Sequence, residues 1–570
     1  MTGCVRDAVV GALAGQGAPL TVFALMGGAN QELICALADQ DGVRVVHGRH
    51  EAGVVSMADG YARFGGGLGV ATVTAGPGVT NAATALAVAR ARGSAVLLLA
   101  GDTATAHDRS PQWFEQDVFA RVCGGASARV DAPEGLAGAL AEARRVLHRG
   151  GPFTLNLPVD VQPAPIPGGL PPVRLWPPEQ HGSAPPSADA EAALREAAGR
   201  LRGAARPVVL AGRGGVRAGT ALKLLGERLG ASLATTLPAA GLFAGHGLDT
   251  GMVGGLGDGR ADAALAEADL LLAVGTSLHP LAGSRPAALA AAGRLIRVDT
   301  APRPGTGGIV AACDAALGVE ALTVLLGPPP PPPRTPRPRA PVRAGDTTSP
   351  WPVAGRDGPV HPMRAVAELA AALPAERPVV IGGGHAALGA CQTLGATGPH
   401  DFAMVSADFG AIGQALAVAI GACFARPGER VFHVTGDGEL MMGLADLHTA
   451  VRYGLDLTVV VLNDQGFAQE RHNLARSGRP TAHADHPAPD LASLARSLGA
   501  VGHTIAGTAQ LPLLRHAVPA RSGSGVVLID VRIDPAYLNP ASERIAAVLT
   551  GGGPGGPTAG QDGTATGTGA

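Results

Sequence analysis

Lysine is nearly missing from this chain. Lys223 is the only one in 570 residues, and arginine supplies the rest of the positive charge. A lysine Schiff-base mechanism would have to use Lys223, which sits in a polar, helix-like context rather than a desolvated one. Aromatic residues are also scarce, at 3%, while glycine numbers 84 and hydrophobic residues reach 46% against 16% charged. Such cores must be built from small side chains packed closely in layered helices and sheets, not from aromatic-rich sandwiches. The six cysteines are Cys4, Cys35, Cys123, Cys313, Cys391 and Cys423. None are spaced as C-x-x-C or as a zinc site, and scattered thiols fit a reducing cytoplasm. No apolar run is long enough for a membrane-crossing helix of about 20 residues. The longest, Ala415 to Ala425, is expected as a buried helix, and the N-terminus shows no signal-peptide pattern. With a net charge of -2, a pI near 6.8 and no basic stripe, neither nucleic acid nor a membrane is expected as partner.

What the sequence does have is a repeated alternation of strand and helix. At about 150 residues per domain the length suggests three or four domains. Short apolar runs that suit buried parallel strands include Gly69–Val73, Ala95–Leu99, Val208–Ala211, Leu270–Val274, Leu295–Val298, Val379–Ile381, Val431–Val434, Thr458–Leu462 and Val526–Val531. Alanine-rich segments of helical period lie between them. This is the signature of an α/β protein with parallel sheets. Two proline-rich stretches, 161–186 and 328–360, are expected as linkers; the second holds Pro328–Pro333, which cannot join a sheet. The expected organisation is therefore three doubly wound parallel-sheet domains, at 1–160, 187–327 and 361–545. The Gly/Thr-rich tail, 546–570, is expected to be disordered.

Polar motifs cluster in the first and third of these. The strand at Val431–Val434 runs into Thr435-Gly436-Asp437-Gly438-Glu439. A helical segment follows, with Leu440, Leu444, Leu447 and Val451 on one face. The next strand ends in Asn463-Asp464-Gln465-Gly466. Two polar turns thus fall at the C-terminal ends of neighbouring strands, where open α/β sheets bind ligands. Asp437 offers a hard oxygen, and Gly436 and Gly438 let backbone N–H groups approach a phosphate. Magnesium takes few protein oxygens and completes its octahedron from phosphates and water. Asp437, a ligand from the 463–464 turn and a carbonyl near Gly466 would suffice. Alone, G-D-G is as readily an ordinary turn.

These residues resemble the thiamine-diphosphate enzymes of the acetolactate synthase and pyruvate decarboxylase superfamily, whose signature is G-D-G followed, a helix and a strand later, by Asn-Asn. The resemblance implies thiamine diphosphate held through Mg2+ by Asp437, Asp464 and the Gly466 carbonyl, with Gly436, Gly438 and Glu439 around the diphosphate. Asp464 stands where the family has Asn, which keeps the oxygen and adds a negative charge. Gly382-Gly383-Gly384-His385 corresponds to a second diphosphate loop, with His385 near the phosphates. Gly410-Ala411-Ile412-Gly413 corresponds to the segment that bends the cofactor, Ile412 as wedge and the Gly410 carbonyl as acceptor; read alone, Ile412 is a core residue. By the same resemblance the three domains are pyrimidine-binding, central and diphosphate-binding.

In the first domain, Arg49-His50-Glu51 and Met57-Ala58-Asp59-Gly60-Tyr61-Ala62-Arg63 resemble the family's pyrimidine-binding segment, and Gly76-Pro77-Gly78-Val79-Thr80-Asn81 its following turn. Glu51 corresponds to the carboxyl that activates the cofactor through pyrimidine N1'. Gly76, Pro77 and Asn81 join the cofactor residues. Such a carboxyl works best partly desolvated. Read alone, Glu51 could equally be a surface partner of Arg49 or Arg63. Met26-Gly27-Gly28-Ala29 and Phe114-Glu115-Gln116 resemble synthase segments on the substrate side. No Arg follows Gly275-Thr276-Ser277-Leu278 until Arg285, and Ala386-Ala387-Leu388 replaces a synthase motif, which speaks against FAD. Glu470 is a candidate acid or base for the adduct, or a salt-bridge partner of Arg471 or Arg476. The resemblance implies a carboligase acting on a 2-oxo acid such as pyruvate and a second carbonyl. The alternatives are a non-ligating decarboxylase, a 2-hydroxyacyl lyase, or a non-catalytic cofactor-binding subunit. It also implies a homodimer or homotetramer with the active site between subunits.

Overall fold

A computed structural model of the chain describes residues 3–14, 19–106, 109–166, 173–176, 185–279, 283, 285–300, 307–327, 358–518, 523–539 and 542. Among the described residues, eighteen strands form three six-stranded sheets. The first sheet holds β1 (Leu20–Ala24), β2 (Val43–His47), β3 (Gly69–Val73), β4 (Val96–Asp102), β5 (Ser127–Arg129) and β6 (Phe153–Pro158), in the order β2-β1-β3-β4-β6-β5. The second holds β7 (Pro207–Ala211), β8 (Ser232–Thr235), β9 (Asp249–Met252), β10 (Leu270–Val274), β11 (Leu295–Val298) and β12 (Ile309–Ala311), in the order β12-β11-β10-β7-β8-β9. The third holds β13 (Val379–Ile381), β14 (Phe402–Met404), β15 (Val431–Gly436), β16 (Leu457–Asn463), β17 (Val501–Ile505) and β18 (Val526–Arg532), in the order β14-β13-β15-β16-β18-β17. Neighbouring strands pair in parallel, as in Val434 with Val460 and Ala71 with Leu98. Strands such as Leu270–Val274 and Leu457–Asn463 are buried along their whole length. Helices cover both faces of such a sheet, so its inner strands read as unbroken apolar runs.

The chain divides into two compact units. One comprises Met1–Pro185, Leu237–Asp249 and Pro333–Leu538; the other comprises Pro186–Thr236, Thr250–Pro332 and Asn539–Ala570. The first and third sheets therefore share a unit and the second sheet has its own. Within the first unit the Glu51–Tyr61 helix packs against the Ala415–Ala425 helix, whose residues from Ala415 to Cys423 are all buried. The approach is close because both helices present glycine. A Cβ on Gly60 would lie 2.1 Å from the Val418 carbonyl oxygen, and one on Gly421 would lie 2.0 Å from that of Met57. Val54, Val55 and Met57 are fully buried there, each contributing roughly 1.5–3 kcal/mol relative to exposure. Ser56 donates to Gln414 Oε1 at 2.6 Å. Just beyond the helix, buried Arg63 donates from Nε and Nη2 to Asp59 (2.8 and 2.6 Å) and from Nη1 to Asp408 (2.6 Å).

The first proline-rich stretch corrects an expectation. Its described residues do not behave as a free linker, because Val161, Ile166 and Leu175 are buried in the core of the first sheet. Cys4 bridges Pro165, and Val5 N donates to Ala164 O at 3.0 Å. Prolines bar a strand interior, yet the apolar residues among them still find a core. Of the second stretch, Val360 pairs with Ile533 beside β18. Residues 328–357 and the tail expected at 546–570 lie outside the described residues.

Candidate active site

The order of the third sheet reverses between β13 and β15, which opens a crevice at their C-terminal ends. Four polar loops leave that edge: Gly382–His385 after β13, Gly410–Gly413 beyond β14, Gly436–Glu439 at the end of β15, and Asn463–Gly466 at the end of β16. Asp437 opens the Asp437–Gly443 helix, so its carboxylate stands at the positive end of that helix. Burial pushes its carboxyl up to about 6, with Asp530 adding to the effect, while the amides of Asp464 and Gly438 oppose it. Burial and then the adjacent Asp437 charge push Asp464 up to about 7. Asp464 Oδ1 is buried and has no hydrogen-bond partner.

The turn that holds Asp464 is tightly built. Gln465 has a φ of +65°, a left-handed conformation rare outside glycine. It is pinned by Asn463 Oδ1, which accepts from the Gln465 amide (3.1 Å) and side chain (2.6 Å), while Asn463 Nδ2 donates to Asp530 (2.8 Å). Gly466 bridges Asp485. Glu439 ties the other loops together. Its carboxylate accepts from Gly383 N, from Thr435 Oγ1 at 2.8 Å and from Gly413 N at 3.1 Å. Burial raises its pKa and these donors oppose the rise. Sequence reasoning placed Glu439 with the cofactor residues, but its oxygens are engaged in holding the loops. Ile412 lies against the Gly383 backbone, where a Cβ would come within 2.4 Å of its Cγ2. His385 is buried, with Nδ1 3.2 Å from Gln469 Oε1 and its ring 4.5 Å from that of His472.

The first sheet has the same switch between β1 and β3, and its motifs leave the corresponding edge. Glu51 opens its helix after β2, behind His50, whose Nδ1 accepts from Ala52 N at 3.1 Å. Asn81 ends the short Pro77–Asn81 helix after β3 and donates Nδ2 to Glu51 Oε2 at 3.1 Å. Gly76 starts that helix with a φ of +67°, and its amide donates to buried Gln116 at 3.0 Å. Glu51 is half-buried.

Known proteins match this arrangement throughout. Models of the thiamine pyrophosphate enzyme family match as its N-terminal TPP binding domain over residues 4–122, its central domain over 194–311 and its C-terminal TPP binding domain over 382–531. A Pseudomonas aeruginosa protein named "Probable 2-ketoarginine decarboxylase" is 32% identical over 540 residues, covering 90% of this chain and 91% of that one. The chain belongs to the thiamine pyrophosphate enzyme family. The acetolactate synthase isozyme 3 large subunit of Escherichia coli is 28% identical, covering 93% of this chain and 94% of that one. The solved Rhodococcus jostii thiamine diphosphate-dependent 4-hydroxybenzoylformate decarboxylase shares the fold, with a TM-score of 0.75 over 93% of this chain and 99% of its own at 22% identity.

The residues present fit the family's cofactor. Two adjacent buried carboxylates, one with an unpartnered oxygen, require a cation to be stable together when ionised. Mg2+ needs only one or two protein carboxylates, with the rest of its shell from phosphate and water, and this pair would meet that need.

Two expectations on the substrate side change. Gln116, read as a substrate-side residue, is spent on the fold: besides accepting from Gly76 it donates to Gly101 O and Asn156 Oδ1, both at 2.9 Å. Glu470 is exposed and accepts from Asn473 at 3.3 Å, while Arg471 pairs with Asp485 instead. Among the described residues, the alternative ion pair with Arg471 or Arg476 does not form. Sequence reasoning missed Gln116 as a turn anchor, the Asn463–Asp530 pair, and the Arg63–Asp59–Asp408 triad. Each works through a partner distant in sequence, which spacing does not show.

Proposed function

We propose that this chain is a thiamine-diphosphate-dependent carboligase resembling acetolactate synthase, which decarboxylates a 2-oxo acid and joins the remaining acyl unit to a second carbonyl. The observation that carries the cofactor assignment is the pairing of two sheet edges, one with Glu51 held by Asn81, the other with Asp437 beside the unpartnered oxygen of Asp464. When bound, thiamine diphosphate supplies the electron sink for decarboxylation. Asp437, Asp464 and the Gly466 carbonyl would hold Mg2+. Gly436, Gly438, Gly382–Gly384 and His385 would surround the diphosphate, and Gly76, Pro77, Gly410 and Ile412 the rings. Glu51 would hold a proton against pyrimidine N1'. Burial lowers the pKa of His385, which favours its neutral form as a hydrogen-bond donor near the phosphates.

Room for the second carbonyl is supported at Gly28, where a Cβ would meet nothing within 4 Å, on the loop that leaves β1 at the Glu51 edge. Decarboxylation without ligation is the second reading, favoured by the name of the 32%-identical relative. A homodimer or homotetramer completing the site between subunits is part of the proposal. It is supported by the exposure of Trp113 (46%), Met442 (54%) and Phe409 (59%) on these same motif-bearing segments. Among the described residues, no hydrogen bond or ion pair joins Glu51 to the Asp437 turn. A cytoplasmic location accords with six free cysteines, and no described helix is long and apolar enough to cross a membrane. The deciding experiment offers purified protein, thiamine diphosphate and Mg2+ a panel of 2-oxo acids and acceptor carbonyls, read by mass spectrometry. A coupled hydroxyketone product supports ligation; free aldehyde alone in every combination overturns it.

A further inference from the structure

Asp446 lies nine residues beyond Asp437, on the Ala445–Arg452 helix, and is buried. Its carboxylate contacts the start of the helix that bears Glu51. Oδ1 accepts from the Arg49 amide at 3.0 Å and from Thr449 Oγ1 at 3.2 Å. Oδ2 occupies the space that a side chain at position 53 would need, since a Cβ on Gly53 would sit 2.0 Å from it. A Cβ on Gly48 would also come within 3.6 Å of Oδ1. The segment from Gly48 to Gly53 thus wraps one buried carboxylate, with Glu51 at its centre. Arg49 adds a second tie to the same helix, its Nη2 2.6 Å from His448 Nδ1.

We infer that Asp446 is a positioning residue for Glu51, fixing the first helical turn so that the Glu51 carboxyl meets the cofactor ring in one orientation. This rests on the role proposed above for Glu51. A hydrogen bond from an amide to an ionised carboxylate is stronger than one between neutral groups, and here it holds the backbone two residues from Glu51. Orientation errors of about 1 Å can cost on the order of 100-fold in rate, so a loosened turn is felt at Glu51 even if the fold survives. Gly53 then has a chemical reason: any side chain there expels the carboxylate.

The test is the rate at which the C2 hydrogen of enzyme-bound thiamine diphosphate exchanges in D2O, with Mg2+ present, read by NMR after acid quench. It requires no substrate. Amide hydrogen exchange at residues 49–52 and thermal midpoints are measured alongside. Asp446→Ala should slow C2 exchange at least tenfold and speed exchange of the Arg49 amide. Asp446→Asn keeps an acceptor for that amide and should recover the rate to within threefold. Adding Asp446→Ala to Glu51→Gln should slow exchange no further, because the two act through one group. Should Asp446→Ala not accumulate folded, Gly53→Ala displaces the same carboxylate and should slow C2 exchange likewise. Wild-type C2 exchange in Asp446→Ala or Gly53→Ala, beside slow exchange in Glu51→Gln, overturns the role of Asp446 alone. Full multiplication of the two effects in the double variant does the same. Wild-type exchange in Glu51→Gln overturns the role of Glu51 and this inference with it.

Discussion

The first and third sheets share one strand order. In each, the first strand lies between the second and the third, and the ligand edge opens at that switch. Their chemistry diverges completely. The first sheet places one half-buried carboxyl, Glu51, beside a neutral amide donor, Asn81. The third places two buried carboxylates, Asp437 and Asp464, close enough that the Asp437 charge raises the pKa of Asp464. On the proposed assignment, the first edge would hold a single mobile proton and the other a doubly charged ion. Topology determines where a site can form, and a few side chains decide what it does. The second sheet, with its order β12-β11-β10-β7-β8-β9, closes its own switch. Gly212 N donates to Val274 O and Gly214 N to Gly275 O, both at 2.9 Å. Amides that could have faced a ligand there face the neighbouring loop.

The comparison breaks most visibly if the two edges fail to separate binding from activation. Glu51→Gln is expected to lower kcat about 10²–10⁴-fold, the usual weight of a positioned acid or base, while thiamine diphosphate affinity stays within about threefold on this account. Asp437→Ala should do the reverse and abolish Mg2+-dependent binding in a fluorescence titration. If cofactor binding survives both Asp437→Ala and chelation of Mg2+, the metal edge has been misplaced.

Next in size is the tie between the sheets. Arg63→Met leaves buried Asp59 and Asp408 without their cation. It should cost about 3–5 kcal/mol in urea unfolding. A loss below about 1 kcal/mol would mean the triad does not bind the sheets together.

A third test uses acid. His433 is buried at the centre of the third sheet, and burial lowers its pKa to about 4 from 6.5, despite a hydrogen bond from Nδ1 to Val380 O. A depressed histidine contributes stability that is full above pH 6.5 and is lost as pH falls toward 4, because the unfolded chain takes the proton first. At ~1.4 kcal/mol per unit the loss is on the order of 3 kcal/mol. His433→Leu should flatten the pH slope of stability between 6.5 and 4 by up to one proton. An unchanged slope would place acid sensitivity elsewhere.

The smallest expected effect is in the first sheet. Gln116→Ala leaves the buried Gly76 amide without its acceptor and should cost about 1–3 kcal/mol, with cofactor affinity falling more than stability. The opposite ranking would make Gln116 a fold residue only.

Sequence reading reached the interior of each sheet and stopped at its margins. All nine expected strands, from Gly69–Val73 to Val526–Val531, are interior strands: β3, β4, β7, β10, β11, β13, β15, β16 and β18. None of the six edge strands was anticipated. Five of the six edge strands are partly solvated and lack the continuous apolar run, as in Val501–Ile505, which buries only its last residue; Phe402–Met404 is buried but only three residues long. Three interior strands, β1, β6 and β8, were also missed: Thr21 and Asn156 interrupt the runs of β1 and β6, and Ser232 and Thr235 leave only two apolar residues between them in β8. Candidate residues could be named wherever they lie within one loop, as at Gly436-Asp437-Gly438. It was illegible where a residue works across the fold, as Glu439 does on Gly383 and Gly413. The helix expected with Leu440, Leu444, Leu447 and Val451 on one face is two helices, Asp437–Gly443 and Ala445–Arg452. Leu444 between them keeps helical dihedrals, and Asp446 in the second helix lies against the Glu51 turn.

The glycines at 60 and 421 have a consequence for how this protein can change over evolutionary time. Where two helices meet backbone to backbone, no side chain can be trimmed or enlarged to absorb a neighbouring substitution. Every larger residue there forces the whole seam apart, and no single reversal elsewhere closes it. Loops at the sheet edges can accept substitutions one at a time; this seam cannot.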